Sequence, residues 1–269
     1  MAPAFKEAKR ELNGLTAAGE KKVLLWLAAR LPEWVHPDHL TLLGLVAMLG
    51  AGAAYALSAR SAWWLLAVGV FLVLNWFGDS LDGTLARFRQ KLRPRYGFYV
   101  DHAVDALGAL FVLSGLALSG LMSERIAWAL LAVYYLMSIN IYLATYTRGV
   151  FQMSSGPFGG TELRLLLMMA NAAVLGWPTV HLLGREWLVF DLIGIVGVAG
   201  LVVALVRSGA ANTRFLYELE RVDHGPSADG AGTVLAKAAA VGGTQLQALI
   251  GSRRPTPQVV TPGMPPAVR

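Results

Sequence analysis

Six apolar stretches, each about twenty residues long, alternate with short basic or polar segments along this chain. They run over about 40–58, 62–82, 98–120, 126–146, 163–183 and 187–206. Each is close to the roughly 20 residues an α-helix needs to cross a bilayer, so the pattern predicts six transmembrane helices. Ahead of them, Val23, Leu24, Leu27 and Leu31 recur at helical spacing among Glu20, Lys21, Lys22 and Arg30. That predicts an amphipathic helix over 17–31, lying in the membrane interface with Trp26 and Trp34 at headgroup level. Pro32 and Pro37 end it and turn the chain into the first span. The expected fold class is all-α polytopic membrane protein, six transmembrane helices plus an N-terminal interfacial helix. The expected domains are an N-terminal cytoplasmic segment (1–36), a six-helix transmembrane domain (37–206) and a cytoplasmic C-terminal helix with a mostly disordered tail (207–269).

Composition agrees. Hydrophobic residues make up 55% of the chain and charged ones 15%, which excludes an ordinary soluble domain. The absence of cysteine removes disulfides, thiolate metal sites and thiol nucleophiles. The first twenty residues carry Lys6, Glu7, Lys9, Arg10 and Glu11 without an apolar core, so no cleavable signal peptide is expected. Of the 23 Lys and Arg, all but Arg60, Arg125 and Arg185 fall on one side of the six spans. The positive-inside rule then puts both termini in the cytoplasm, with a bacterial inner membrane the expected location. A net charge of +6 suits anionic lipid headgroups as partners and requires no nucleic acid.

Against that apolar background, Asp79, Asp82, Asp101 and Asp105 stand at the cytoplasmic ends of the second and third spans. An ionised residue in a membrane segment costs about 2.5–3.5 kcal/mol on insertion scales, so four together imply a function. Asp79 and Asp82 are three apart and Asp101 and Asp105 four apart, which puts each pair on one helix face. Such carboxylates suit hard divalent cations, which prefer oxygen ligands and bridge them to phosphate. A helix C-terminus after Asp82 would add a favourable dipole. Gly83 leaves room for a ligand to approach the backbone, Ala86 is small, Arg87 offers a cation, and Gly97 keeps the second face open. Together they describe a two-metal phosphate site.

The run Asp79-x2-Asp82-Gly83-x2-Ala86-Arg87-x9-Gly97-x3-Asp101-x3-Asp105 resembles the signature of the CDP-alcohol phosphotransferase (CDP-alcohol phosphatidyltransferase) family. The likeness extends over the six-span body and the N-terminal helix. It implies an enzyme of phospholipid biosynthesis that moves a phosphoalcohol group from a CDP-linked alcohol to a hydroxyl acceptor and releases CMP. It also implies two Mg²⁺ or Mn²⁺ ions on Asp79, Asp82 and Asp101, with Gly83, Ala86 and Gly97 packed around the cytidine and Arg87 as the family arginine. Asp105 corresponds to the general base, close to the metals yet able to stay uncoordinated. Pro37-Asp38-His39-Leu40-Thr41 resembles the family's Pro-Asn-x-x-Thr element, with Asp38 where Asn is usual, and makes Thr41 a candidate ligand.

Gly159-Gly160-Thr161-Glu162-Leu163-Arg164 is the second candidate site, where Arg164 suits a phosphate-bearing acceptor and Glu162 an amino or polyol one. None of the five histidines is expected to bind metal. Asn75, Asn140 and Asn171, inside spans, should hydrogen-bond between helices. The favoured donor is CDP-diacylglycerol. The alternatives are a choline or ethanolamine phosphotransferase acting on diacylglycerol and, more remotely, a cation-coupled transporter. A second copy of the chain is a further candidate partner.

Overall fold

The computed structural model describes residues 17–148, 160–182 and 184–221. Its elements are α1 (Ala17–Ala28), α2 (Pro37–Ser58), α3 (Trp64–Phe88), α4 (Pro94–Ser119), α5 (Glu124–Arg148), α6 (Gly160–Gly176), β1 (Thr179–Leu182), β2 (Arg185–Leu188) and α7 (Val189–Leu219). Five helices among the described residues, α2, α3, α4, α5 and α7, are long and apolar enough to cross a membrane.

The bounds expected for the fifth span, 163–183, are corrected. Helix α6 stops at Gly176, because Pro178 has no N–H to continue the ladder and disfavours helical backbone at Trp177. Its 17 residues extend about 26 Å, at the lower end of the lengths that cross a bilayer. The chain then forms an antiparallel hairpin that the apolar pattern hid, pairing Val180 with Trp187 and His181 with Glu186. Gly184 lies at the turn with a left-handed φ of 72°. The sixth span consequently starts at Val189 rather than 187, and α7 continues without a break to Leu219. The polar helix expected after Arg207 is thus the end of α7. The chain divides into compact units at Ala210/Ala211, and the mostly disordered tail expected over 225–269 lies outside the described residues.

Helix α2 is central, packing on both α3 and α4 through small residues. A Cβ at Gly115 would fall 2.1 Å from the Gly52 carbonyl oxygen, and one at Gly52 would fall 2.3 Å from that of Phe111. Backbones of α2 and α4 therefore touch, as expected where lipid supplies no hydrophobic drive and close van der Waals packing must hold helices together. One buried cluster joins Ala51, Tyr55, Leu72, Leu116 and Phe190 across the bundle; a second joins Leu24 and Ala28 of α1 to Leu40, Leu81 and Leu85. The intramembrane asparagines bond between helices as expected: Asn75 Nδ2 to the Gly44 carbonyl at 3.0 Å, Asn140 Nδ2 to Ser208 Oγ at 2.9 Å, and Asn171 Oδ1 from Tyr55 OH at 3.0 Å.

The ends of α3 and α4 are set locally. Helix α3 closes with a Schellman turn: Gln90 N–H bonds Arg87 O at 3.1 Å and Lys91 N–H bonds Ala86 O at 2.9 Å. Gln90 takes a left-handed φ of 54° there, where glycine is usual. Arg89 then reaches back to the α1–α2 connection, donating to the carbonyls of Leu31 (3.0 Å), Pro32 (2.8 Å), Glu33 (3.3 Å) and Val35 (2.5 Å). One guanidinium thus ties that connection to the end of α3.

Candidate active site

The site begins at the contact of α2 with α3. Gly78, immediately before Asp79, is fully enclosed, and a Cβ there would lie 2.5 Å from Leu40 O and 2.7 Å from Gly44 N. This contact lets the aspartate face of α3 reach the first turns of α2. Pro37 fixes the helical φ at the start of α2. His39 Nδ1 accepts the His36 N–H at 3.3 Å, so these two histidines serve the helix start. Asp38 pairs with Arg93, joining α2 to the α3–α4 loop.

One turn on, Thr41 Oγ1 lies 2.6 Å from Asp82 Oδ2 and 3.1 Å from the Pro37 carbonyl. A hydroxyl has one proton, and the shorter, charge-assisted contact to the carboxylate takes it. The other Asp82 oxygen meets the Gly83 N–H. From α6, Arg164 NH2 donates to Asp79 Oδ2 at 2.6 Å and Nε donates to Asn75 Oδ1 at 2.7 Å. Sequence reasoning put Thr41 and Arg164 in two separate substrate elements; both side chains reach the same pair of aspartates.

Asp101 and Asp105 lie on α4, one turn apart, with Asp101 partly buried and Asp105 exposed. Asp79 and Asp101 both lie within electrostatic range of Asp82. Asp105 lies within that range of Tyr134 and Tyr142 on α5. His102 Nδ1 lies 2.7 Å from Phe98 O and 3.9 Å from Asp101 Oδ2, and its ring is edge-on to Tyr142 at 5.2 Å. Among the described residues, no three His, Cys, Asp or Glu side chains close on one point able to hold a metal ion.

Asp79 and Asp82 do not stand at a helix end. Helix α3 runs on to Phe88, and the dipole acts only within the last turn, so that part of the expectation is corrected. Arg87, in that last turn, is exposed, with its guanidinium over Gly83, where an added Cβ would meet it at 3.6 Å. Ala86 is half-buried. A Cβ at Gly97 would meet nothing within 4 Å. Protein packing therefore explains the glycine at 78 but not those at 83 and 97. Glu162 is partly exposed, about 200° round α6 from Arg164. Arg148, at the end of α5, is also partly exposed; Gly159 lies outside the described residues.

Residues 34–206 match the family model described as CDP-alcohol phosphatidyltransferase. The chain belongs to this family. Among curated relatives, it is 26% identical over 187 residues to cholinephosphotransferase 1 of Gallus gallus, covering 64% of this chain and 54% of the relative. It is 34% identical over 115 residues to archaetidylinositol phosphate synthase of Pyrococcus horikoshii, covering 42% of this chain and 54% of the relative. The chain therefore spans about half the length of these relatives. The match includes every aspartate of the motif together with Thr41 and Arg164. Sequence reasoning missed Gly44 and Gly78, whose signal was the small residues themselves at the levels of Leu40–Gly44 and Asn75–Asp79.

Proposed function

We propose that this chain is a phospholipid-biosynthetic transferase that moves the phosphoalcohol group of a CDP-linked alcohol to a hydroxyl acceptor, releasing CMP. The observation that carries the reading is the gathering of Thr41 and Arg164 at Asp79 and Asp82, near Asp101, in a member of this family. The acceptor oxygen attacks the β-phosphorus, the bond to the bridging oxygen breaks with its electron pair leaving on CMP, and the acceptor proton passes to Asp105. Asp79, Asp82 and Asp101 present only hard oxygen donors, which fits Mg²⁺ or Mn²⁺ once Asp79 and Asp82 turn from Arg164 and Thr41. Bound there, two such ions would neutralise the diphosphate and stabilise its leaving oxygen. Open space beside Gly97, and only the Arg87 side chain over Gly83, suits close approach of the nucleotide to both helices.

The favoured donor is CDP-diacylglycerol and the favoured acceptor a soluble alcohol bearing phosphate. Arg164 supports this, as a cation already directed at the site and able to exchange one oxyanion for another. Transfer from a CDP-aminoalcohol to diacylglycerol is the second reading, favoured by the longer span of similarity to cholinephosphotransferase. Both readings need one lipid and one soluble substrate. The basic asymmetry of the loops supports a site and termini on the cytoplasmic side. The exposed Val23, Trp26 and Trp34 support an interfacial position for α1.

The test is a panel pairing CDP-diacylglycerol, CDP-choline and CDP-ethanolamine with labelled acceptors, in Mg²⁺ or Mn²⁺, with lipid products read by mass. CMP release that requires an acceptor supports the reading, and the productive pair names the subclass. Metal-dependent cation flux in liposomes without CMP release would refute it in favour of transport. Asp105→Asn should abolish turnover and spare nucleotide binding; loss of binding equal to that in Asp82→Asn would overturn the base assignment.

A further inference from the structure

We propose that Glu20, on α1, is a positioning residue that sets where Arg164 stands over the aspartates. The proposal rests on the reading of Arg164 as an acceptor-binding cation. The periodicity of 17–31 assigns Glu20 to a polar face shared with Lys21 and Lys22. Those two lysines are exposed, but Glu20 turns inward and is half-buried. Its Oε1 accepts three hydrogen bonds from two other helices. Trp76 Nε1 donates at 2.8 Å and Ser80 Oγ at 3.2 Å from α3, and Thr161 Oγ1 donates at 2.9 Å from α6.

The positions of those donors matter more than their number. Trp76 and Ser80 are one turn apart, and Ser80 adjoins Asp79. Thr161 lies one turn before Arg164 on the same side of α6. Arg164 in turn bonds Asn75 and Asp79, one residue before each of the α3 residues that bond Glu20. Helix α6 is therefore joined to α3 by two polar links a turn apart: Arg164 directly, and Thr161 through Glu20. The Arg164 link must open if its guanidinium is to turn to a substrate. The Glu20 link involves none of the motif aspartates and can hold α6 in register while that happens. A carboxylate suits this role, because an ionised acceptor strengthens each bond and one oxygen can serve several donors. Glu20 also lies outside residues 34–206, so the family match does not account for it.

The experiment compares the full-length wild type with Glu20→Ala, Glu20→Gln, Thr161→Val, Arg164→Ala and the Glu20→Ala/Arg164→Ala double variant. Kinetics of CMP release give acceptor KM and kcat separately. Because the chain has no cysteine, spin labels at Lys22→Cys and Leu163→Cys report the α1–α6 distance without any assay of activity. Glu20→Ala and Thr161→Val should broaden that distance distribution and raise acceptor KM about tenfold, with kcat changed less than about threefold. Glu20→Gln, which keeps an acceptor oxygen, should recover most of the KM. In the Arg164→Ala background, Glu20→Ala should add less than about twofold, because the residue it acts through is gone. Fully additive losses, or an unchanged distance distribution with unchanged KM, would overturn the proposal. If the wild type releases no CMP from any donor, the functional reading fails; the distances then decide the Glu20 link alone, broadening supporting it and invariance overturning it.

Discussion

Gly78→Ala adds one methyl group at the α2–α3 contact and should disable the site without altering any of its polar side chains. The new Cβ would lie 2.5 Å from Leu40 O, 2.7 Å from Gly44 N and 3.0 Å from Gly44 Cα, all backbone atoms that no rotamer change can clear. Restoring ordinary contact at 3.4 Å requires α2 and α3 to part by about 0.9 Å near this level. If that opening falls along the neighbouring contacts, the 2.6 Å Thr41–Asp82 bond stretches to about 3.5 Å, beyond useful hydrogen-bond length. The 3.0 Å Asn75–Gly44 bond fails with it, loosening the residue that steadies Arg164. Overpacking of this kind costs about 1–3 kcal/mol, and a displacement near 1 Å at a reacting centre can cost about a hundredfold in rate. The assay is thermal unfolding in detergent together with CMP release, with Gly69→Ala as control. Gly69 lies on the same helix, and a Cβ there meets nothing within 4 Å, so its variant should match the wild type. Gly78→Ala should unfold earlier and lose at least about tenfold in kcat. Wild-type stability and activity within about twofold would refute the claim that this contact sets the aspartates.

Arg89→Lys keeps the charge but cannot span four carbonyls, so it should lower stability by about 1–2 kcal/mol. It should also speed amide exchange in the connection between α1 and α2, and unchanged exchange there would deny the clamp. Gln90→Gly relieves a left-handed residue in the Schellman turn and should stabilise by about 0.5–1 kcal/mol in denaturant or thermal unfolding. Arg164→Ala should raise acceptor KM more than donor KM; equal effects on both would return the residue to a purely structural ion pair with Asp79.

The bundle was legible because a bilayer imposes its own period: about twenty apolar residues either span it or do not. The same rule misled at 163–183. Val180, Leu182 and Leu183 keep the apolar pattern going through residues 177–183, and a window of about twenty residues does not register that Pro178 breaks the helix. The hairpin that follows, with Thr179 bonded to Glu186 at 2.7 Å, was signalled only by Gly184 and a short alternation.

The candidate site was legible to an unequal depth, and the difference has a physical cause. The four aspartates stand out by cost alone, since the chain carries few charges and these fall within two membrane segments. Thr41 and Arg164 are chemically ordinary, and only the path of α2 and α6 across α3 brings them to Asp82 and Asp79. The glycines show the limit most clearly. Gly78 and Gly83 are five residues apart on one helix and identical in sequence, yet one is required by a neighbouring backbone and the other by nothing in the protein. A glycine that packing does not need, next to Asp82 and one turn from Arg87, supports the proposed approach of a ligand to this face of α3 rather than of a neighbouring helix. That separation of helix-facing from ligand-facing glycine exists only in three dimensions. It supports the proposed step from a membrane bundle carrying acidic side chains to a nucleotide site.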